Sequence, residues 1–183
     1  MESCVTRVLL LIALVGSTWA DDEQNLEMHF EGVEMVDGSE QYFRYNYTVE
    51  KKSETAFSMS GFISQLILLD NGYGIQMKLS RANLDSPEPL EYEELIGIEK
   101  PVCEYLGSIY RMYFYDQLKD ISNFPHYETC PLEPNDYWFK DYSFDGEEYK
   151  AFMRDGHFKM EAYLTKEEKV VAGVVSKMRV EPA

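Results

Sequence analysis

HFKMEAYLTKEEKVVAGVVSKMRVEP, residues 157–182, decides how this chain folds. Phe158, Met160, Ala162 and Leu164 stand at alternate positions, so a pleated strand puts all of them on one face. The polar stretch from Thr165 to Lys169 then turns the chain, and Val170, Ala172, Val174, Met178 and Val180 line the return. Two apolar runs of period two around a short polar link read as a long β-hairpin.

The same period recurs upstream. In FRYNYTV, residues 43–49, Phe43, Tyr45, Tyr47 and Val49 share one face while Arg44, Asn46 and Thr48 share the other. Leu26, Met28 and Phe30 alternate with Glu27, His29 and Glu31 in the same way, and both segments read as half-buried strands. Ala56 to Leu69 turns Phe57, Met59 and Ile63 inward and ends in Leu66-Ile67-Leu68-Leu69. Asp70-Asn71-Gly72 follows, and Asn-Gly supplies the positive φ angles of a type I′ turn. A hairpin is therefore expected with the strand in which Tyr73, Ile75, Met77 and Leu79 alternate with Gly74, Gln76, Lys78 and Ser80. SPEPLEYEEL, residues 86–95, is acidic and broken by proline, and reads as a surface connection.

One block departs from this period. Val102, Leu106, Ile109, Tyr110, Tyr113, Phe114, Leu118 and Ile121 recur at helical offsets, predicting one amphipathic helix of about five turns that stops before Asn123 and Pro125. At least six strands and a single helix make the chain mainly β. The expected architecture is a two-sheet antiparallel β-sandwich with the helix over one opening.

Residues 1–20, with Arg7, an apolar run from Val8 to Val15 and a small-residue end at Ala20, read as a signal peptide. The run is too short to span a bilayer, so the expectation is a single exported domain over 21–183 with no stable membrane insertion. The chain carries 33 acids against 17 bases, a net charge of −16. That balance excludes nucleic acid as a partner and disfavours acidic lipid headgroups, because both need a basic surface. Cys4 leaves with the leader, and an oxidising compartment would then join Cys103 to Cys130, stabilising by about 3 to 4 kcal/mol on the chain-entropy model. Asn46-Tyr47-Thr48 is a glycosylation sequon on the outward side of its strand, so a glycan on Asn46 would face solvent.

Several of these features carry a family likeness. Cys103 opening an aromatic helix, Ser122-Asn123 after it, Cys130-Pro131 leading into an aromatic strand, and Asp155-Gly156-His157-Phe158 before the last hairpin resemble a large insect family of small secreted proteins. That family includes the CheB chemosensory proteins and is related in fold to the lipid-recognition (ML) domains, among them the ganglioside activator protein. The resemblance implies an ML-like, immunoglobulin-like sandwich whose sheets splay apart around a lipid or other apolar molecule, without catalysis, and a link to pheromone detection. ML relatives usually carry more than one disulfide, and this chain, without its leader, can form one.

The inward positions suit such a ligand. Methionines are flexible enough to follow an irregular apolar guest, and tyrosines add a polar tip at a pocket mouth. The candidate lining residues of the strands are Phe43, Tyr45, Met59, Ile63, Met77 and Trp138, with Phe158, Met160 and Val174 from the last hairpin. Tyr110 and Phe114 would add the helix, which has too many large side chains for one narrow stripe and could act as a lid. The plain alternatives are a core packed solid and a helix that merely closes the sandwich end.

No catalytic signature competes with these readings. There is no G-x-S-x-G, P-loop or G-x-G-x-x-G; His29, His126 and His157 lack helical zinc spacing; and Glu93-Glu94 and Glu147-Glu148 read as solvated surface. Residues 141–152 match the first half of a calcium loop, but Phe152 stands where the bidentate glutamate belongs. No catalytic group, cofactor or metal is expected. The expected function is a secreted, non-enzymatic binder of a lipid or other apolar small molecule, with an extracellular receptor as a possible partner. The rival reading is an extracellular interaction protein or co-receptor that binds another protein through exposed aromatics.

Overall fold

The computed structural model describes residues 26–145 and 154–183. The leader assigned to 1–20, the Glu147-Glu148 pair and the far half of the 141–152 stretch lie outside them. The described residues form β1 (Leu26–Met35), β2 (Phe43–Lys51), β3 (Ala56–Gln65), β4 (Tyr73–Ala82), β5 (Glu93–Pro101), β6 (Asn135–Asp145), β7 (Gly156–Lys166) and β8 (Lys169–Pro182). They pair as two antiparallel sheets, one of five strands in the order β1-β8-β7-β4-β5 and one of three in the order β2-β3-β6. The mainly β, two-sheet sandwich expected from the alternation is the fold that forms.

The β7–β8 hairpin is tighter than its sequence suggests. Lys166 pairs with Lys169, and Glu167 and Glu168 both take positive φ, 51° and 61°. These are the angles that Asn71-Gly72 was expected to supply, and there the expectation fails. Neither Asn71 nor Gly72 has a positive φ, and β3 and β4 lie in different sheets, so no hairpin joins them.

The strand before the turn ends at Gln65, and residues 66–72 cross between the sheets. Leu69 and Leu132 exchange backbone hydrogen bonds of 2.9 and 2.8 Å, and both side chains are buried. The Gln65 Nε2 donates to the carbonyls of Ile67 and Leu132 at 2.8 and 2.9 Å. Asn71 acts through its side chain instead, where Oδ1 accepts the Cys103 N–H at 3.0 Å and holds the start of the helical segment. A turn still forms at Asp70–Tyr73, where the Tyr73 N–H donates to the Asp70 carbonyl at 3.1 Å, but burial of Leu69 and this non-local bonding carry the chain into the other sheet, so the turn closes no hairpin.

A second correction concerns residues 93–95, which open β5 instead of ending a loop. β5 pairs with β4 alone and is an edge strand. An edge tolerates the acidic, solvent-exposed composition that disguised it.

The helical segment is not one regular helix. It runs as α1 (Val102–Tyr105), a π-helical turn (Leu106–Tyr110), α2 (Arg111–Tyr113) and, past a break at Phe114 with φ −119°, α3 (Tyr115–Leu118). The reason lies in the spacing. Val102, Leu106 and Tyr110 are buried and Phe114 and Leu118 half-buried, a strict repeat of four. On a helix of 3.6 residues per turn each such step drifts by about 40°. Under-winding through the π turn and resetting at Phe114 keep the stripe on one side.

That stripe plugs one end of the sandwich, packing with Leu69, Leu132, Leu164 and Ala172 in one core cluster. The Cys103–Cys130 disulfide, with its Cα atoms 5.6 Å apart, ties the start of the segment to the chain returning towards β6. A second cluster, of Leu26, Met28, Phe57, Phe158 and Val180, closes the other end.

Candidate functional site

Strand register assigns each side chain to a face. On the three-stranded sheet, Tyr45, Ile63 and Tyr137 form one cross-strand row, and Tyr47, Gly61 and Phe139 the next. Val49 pairs with Met59 on the same face, which Phe57 extends into the second cluster. On the five-stranded sheet Met77, Ala162 and Val174 form one inner row, and Leu79, Met160 and Ser176 another. Between the two end clusters, therefore, the inner faces present Tyr45, Tyr47, Met59 and Ile63 opposite Met77, Met160, Ala162 and Val174. None of these eight belongs to either cluster. All are half-buried except Met160, which is 46% exposed although it lies on an inner face of a central strand.

Small residues sit at the middle of both central strands: Gly61 on β3 and Ala162 on β7. Gly61 has a local cause as well. A Cβ there would lie 2.3 Å from the Asn46 carbonyl oxygen, so no larger residue fits without moving β2.

The helical segment reaches this interior through Tyr105, whose hydroxyl donates to the Met77 Sδ at 3.3 Å. Burial pushes the Tyr105 phenol up to about 12, with Tyr110 adding to the effect. Tyr45, beside Tyr47 with ring centroids 5.6 Å apart, is also raised by burial. At the opposite end a groove of about 290 Å³ opens between the edge strands β1 and β2. Met28, Phe30, Val49 and Phe57 line its depth, with His29 and Lys51 beside them.

The expected lining residues thus divide. Tyr45, Met59, Ile63, Met77, Met160 and Val174 come together between the clusters. Phe43 packs against the helical cluster, and Phe158 is buried in the opposite one. Tyr110 is buried, and its hydroxyl donates to the Pro125 carbonyl at 2.9 Å. Phe114 is half-buried at the helix break. Trp138 is a correction: it pairs with Phe62, on the face opposite the Tyr137 row, and is 50% exposed. Counting alternate residues could not place it, because the phase of β6 depends on its pairing with β3.

The aromatics of the disulfide loop pack largely on one another. Tyr115 meets Tyr110, His126 and Tyr127 at centroid distances of 6.0, 5.1 and 4.9 Å, Phe124 stacks on Tyr137, and Arg111 lies over Tyr127. Met112 and Tyr113 face outward, 70% and 58% exposed.

One polar constellation escaped the sequence reading. Glu27, His29 and Glu181 bring one potential metal-ligand atom each within 4.8 Å of one another, because β1 and β8 are paired. Cationic side chains already engage both carboxylates: Lys51 Nζ is 2.7 Å from Glu27, and Arg179 hydrogen-bonds Glu181. The Lys51 hydrogen bond holds the Glu27 carboxyl below its usual range. A metal would have to displace these partners.

Fold and interior together define a two-sheet β-sandwich whose inner faces, between the two end clusters, carry half-buried and mostly apolar side chains. Residues 75–160, from within β4 to within β7, match the model of a family described as a protein of unknown function, DUF1091. No curated protein matches the chain.

Proposed function

We propose that this chain is a secreted, non-enzymatic binding protein for a lipid or other apolar small molecule, acting in chemosensation or pheromone detection. The supporting observation is the row of half-exposed apolar side chains on facing inner sheets, centred on Gly61 and Ala162 and left out of both core clusters. Half-exposed apolar surface on inward faces is favourable to cover, and an apolar guest would cover it. The methionines Met59, Met77 and Met160 can adapt to a guest's shape. The likeness to the CheB and lipid-recognition families supports the same reading and supplies its chemosensory setting. The disulfide suits an oxidising extracellular compartment, and no helix among the described residues is long and apolar enough to cross a membrane.

The test is mass spectrometry of organic extracts from protein made in a secretory host. About one equivalent of a lipid per chain is expected. A chain that leaves the host without one, and that fails to take up a long-chain fatty acid offered at micromolar concentration, contradicts the proposal.

A further inference from the structure

Phe62 and Trp138 are exposed by 44% and 50%, and they occupy the outer face of the three-stranded sheet, away from the interior. Large apolar groups on a solvent-facing sheet need a reason. Their position suggests one. Asn46 pairs with Phe62, and Phe62 with Trp138, so the three residues form one row across all three strands. Asn46 is exposed and begins the sequon Asn46-Tyr47-Thr48. Along β3 the outward neighbours of Phe62 are Ser60 and Ser64, so nothing bulky on that strand shields its ring.

We infer that Phe62 and Trp138 form a platform for an N-linked glycan on Asn46, which lies across the outer face of the sheet instead of projecting from it. Adjacent strands are about 4.8 Å apart, so Phe62 is one strand from the attachment point and Trp138 two. The first N-acetylglucosamine meets Phe62, and the second reaches Trp138. The C–H groups of a sugar face carry partial positive charge and stack on the negative face of an aromatic ring. Attachment itself is ordinary oligosaccharyl transfer from a lipid-pyrophosphate donor. A bond forms between the Asn46 Nδ2 and the sugar C1, the C1–O bond to pyrophosphate breaks, the lipid pyrophosphate leaves, and one amide proton is released. The platform is independent of what the interior binds; it shares with the proposed function only export through the secretory route.

Removal of the leader takes Trp19 away and leaves Trp138 as the reporter tryptophan. Protein from a secretory host should carry a glycan on Asn46 by intact mass and peptide mapping. Acrylamide should quench its Trp138 fluorescence with a constant about twofold lower than in the unglycosylated Thr48→Ala variant, because a sugar covers one side of a half-exposed indole. Should that variant fail to fold, native protein stripped with peptide-N-glycosidase supplies the same comparison. In a glycosylated Phe62→Ser variant, quenching should rise towards the stripped value. An unmodified Asn46, or equal quenching with and without the glycan, overturns the inference. A lipid-free protein would contradict the proposed function and leave these readouts unchanged.

Discussion

Gly61 shows how a single residue can serve both the backbone and the interior. It lets β2 approach so closely that the Asn46 carbonyl lies 2.3 Å from where a Cβ would be, and it leaves the centre of the inner face without a side chain. Gly61→Ala should destabilise the protein by about 2 to 3 kcal/mol, read as a lower urea midpoint at unchanged slope. A cost below about 0.5 kcal/mol would mean that β2 yields easily. The β7–β8 turn has the opposite character, because Glu167 and Glu168 hold positive φ that glycine and asparagine adopt more readily. Changing them to Asn-Gly should raise stability by about 1 kcal/mol, several degrees in Tm by calorimetry. The turn was legible within 165–169 but its positive angles at the two glutamates were not, whereas Asn71-Gly72 turns the chain without them and supplies a side-chain acceptor to Cys103.

At the scale of elements, the helical segment explains why the block between Cys103 and Cys130 is so aromatic. Its tyrosines fill the end cluster and pack on the returning chain, leaving Met112 and Tyr113 to solvent. Burial raises the phenols of Tyr105 and Tyr110 to about 12 from their ordinary value of 10.0. The folded chain therefore keeps protons that the unfolded chain loses above pH 10. This contribution to stability is complete below pH 10 and disappears as pH rises through about 12. Phenolate absorbance should show a late-titrating fraction that vanishes in denaturant, and urea midpoints should begin to fall above pH 10. Tyr110→Phe should reduce that late fraction by one phenol, leaving those of Tyr105 and Tyr163, and a native titration identical to the denatured one refutes the burial. Helical periodicity was legible here, but its division was not. The sequence shows a repeat of four, and only packing against Leu69, Leu132 and Leu164 required all five residues to stay on one side.

At the scale of the whole molecule, the question is what fills the space between the two end clusters. Ala162→Phe distinguishes an open interior from one packed solid. In an open interior the larger ring costs under about 1 kcal/mol and lowers affinity for an apolar fluorescent probe at least tenfold; in a solid core it costs about 1 to 3 kcal/mol. Urea unfolding read alongside probe titration checks both. Of the expected lining residues, those on inner strand faces were legible because period two needs nothing beyond the local sequence. Trp138 was misplaced for a reason that operates only at this scale: which half of an alternating strand faces inward is settled by the partner it pairs with. The Glu27, His29 and Glu181 constellation was hidden because its members are far apart in sequence and meet through β1–β8 pairing.

Alternation of apolar and polar residues, acting over two or three positions at a time, was enough to determine that this protein is built of antiparallel strands with a helical insert. Which strands share a sheet was decided by the tertiary structure. The link at 66–72 crosses between sheets because burying Leu69 against Leu132 outweighs local hairpin pairing around the Asp70–Tyr73 turn, and such a balance exists only once distant residues have met. The same holds for the interior: its walls are local patterns, but the room between them depends on how far apart two separately formed sheets come to rest.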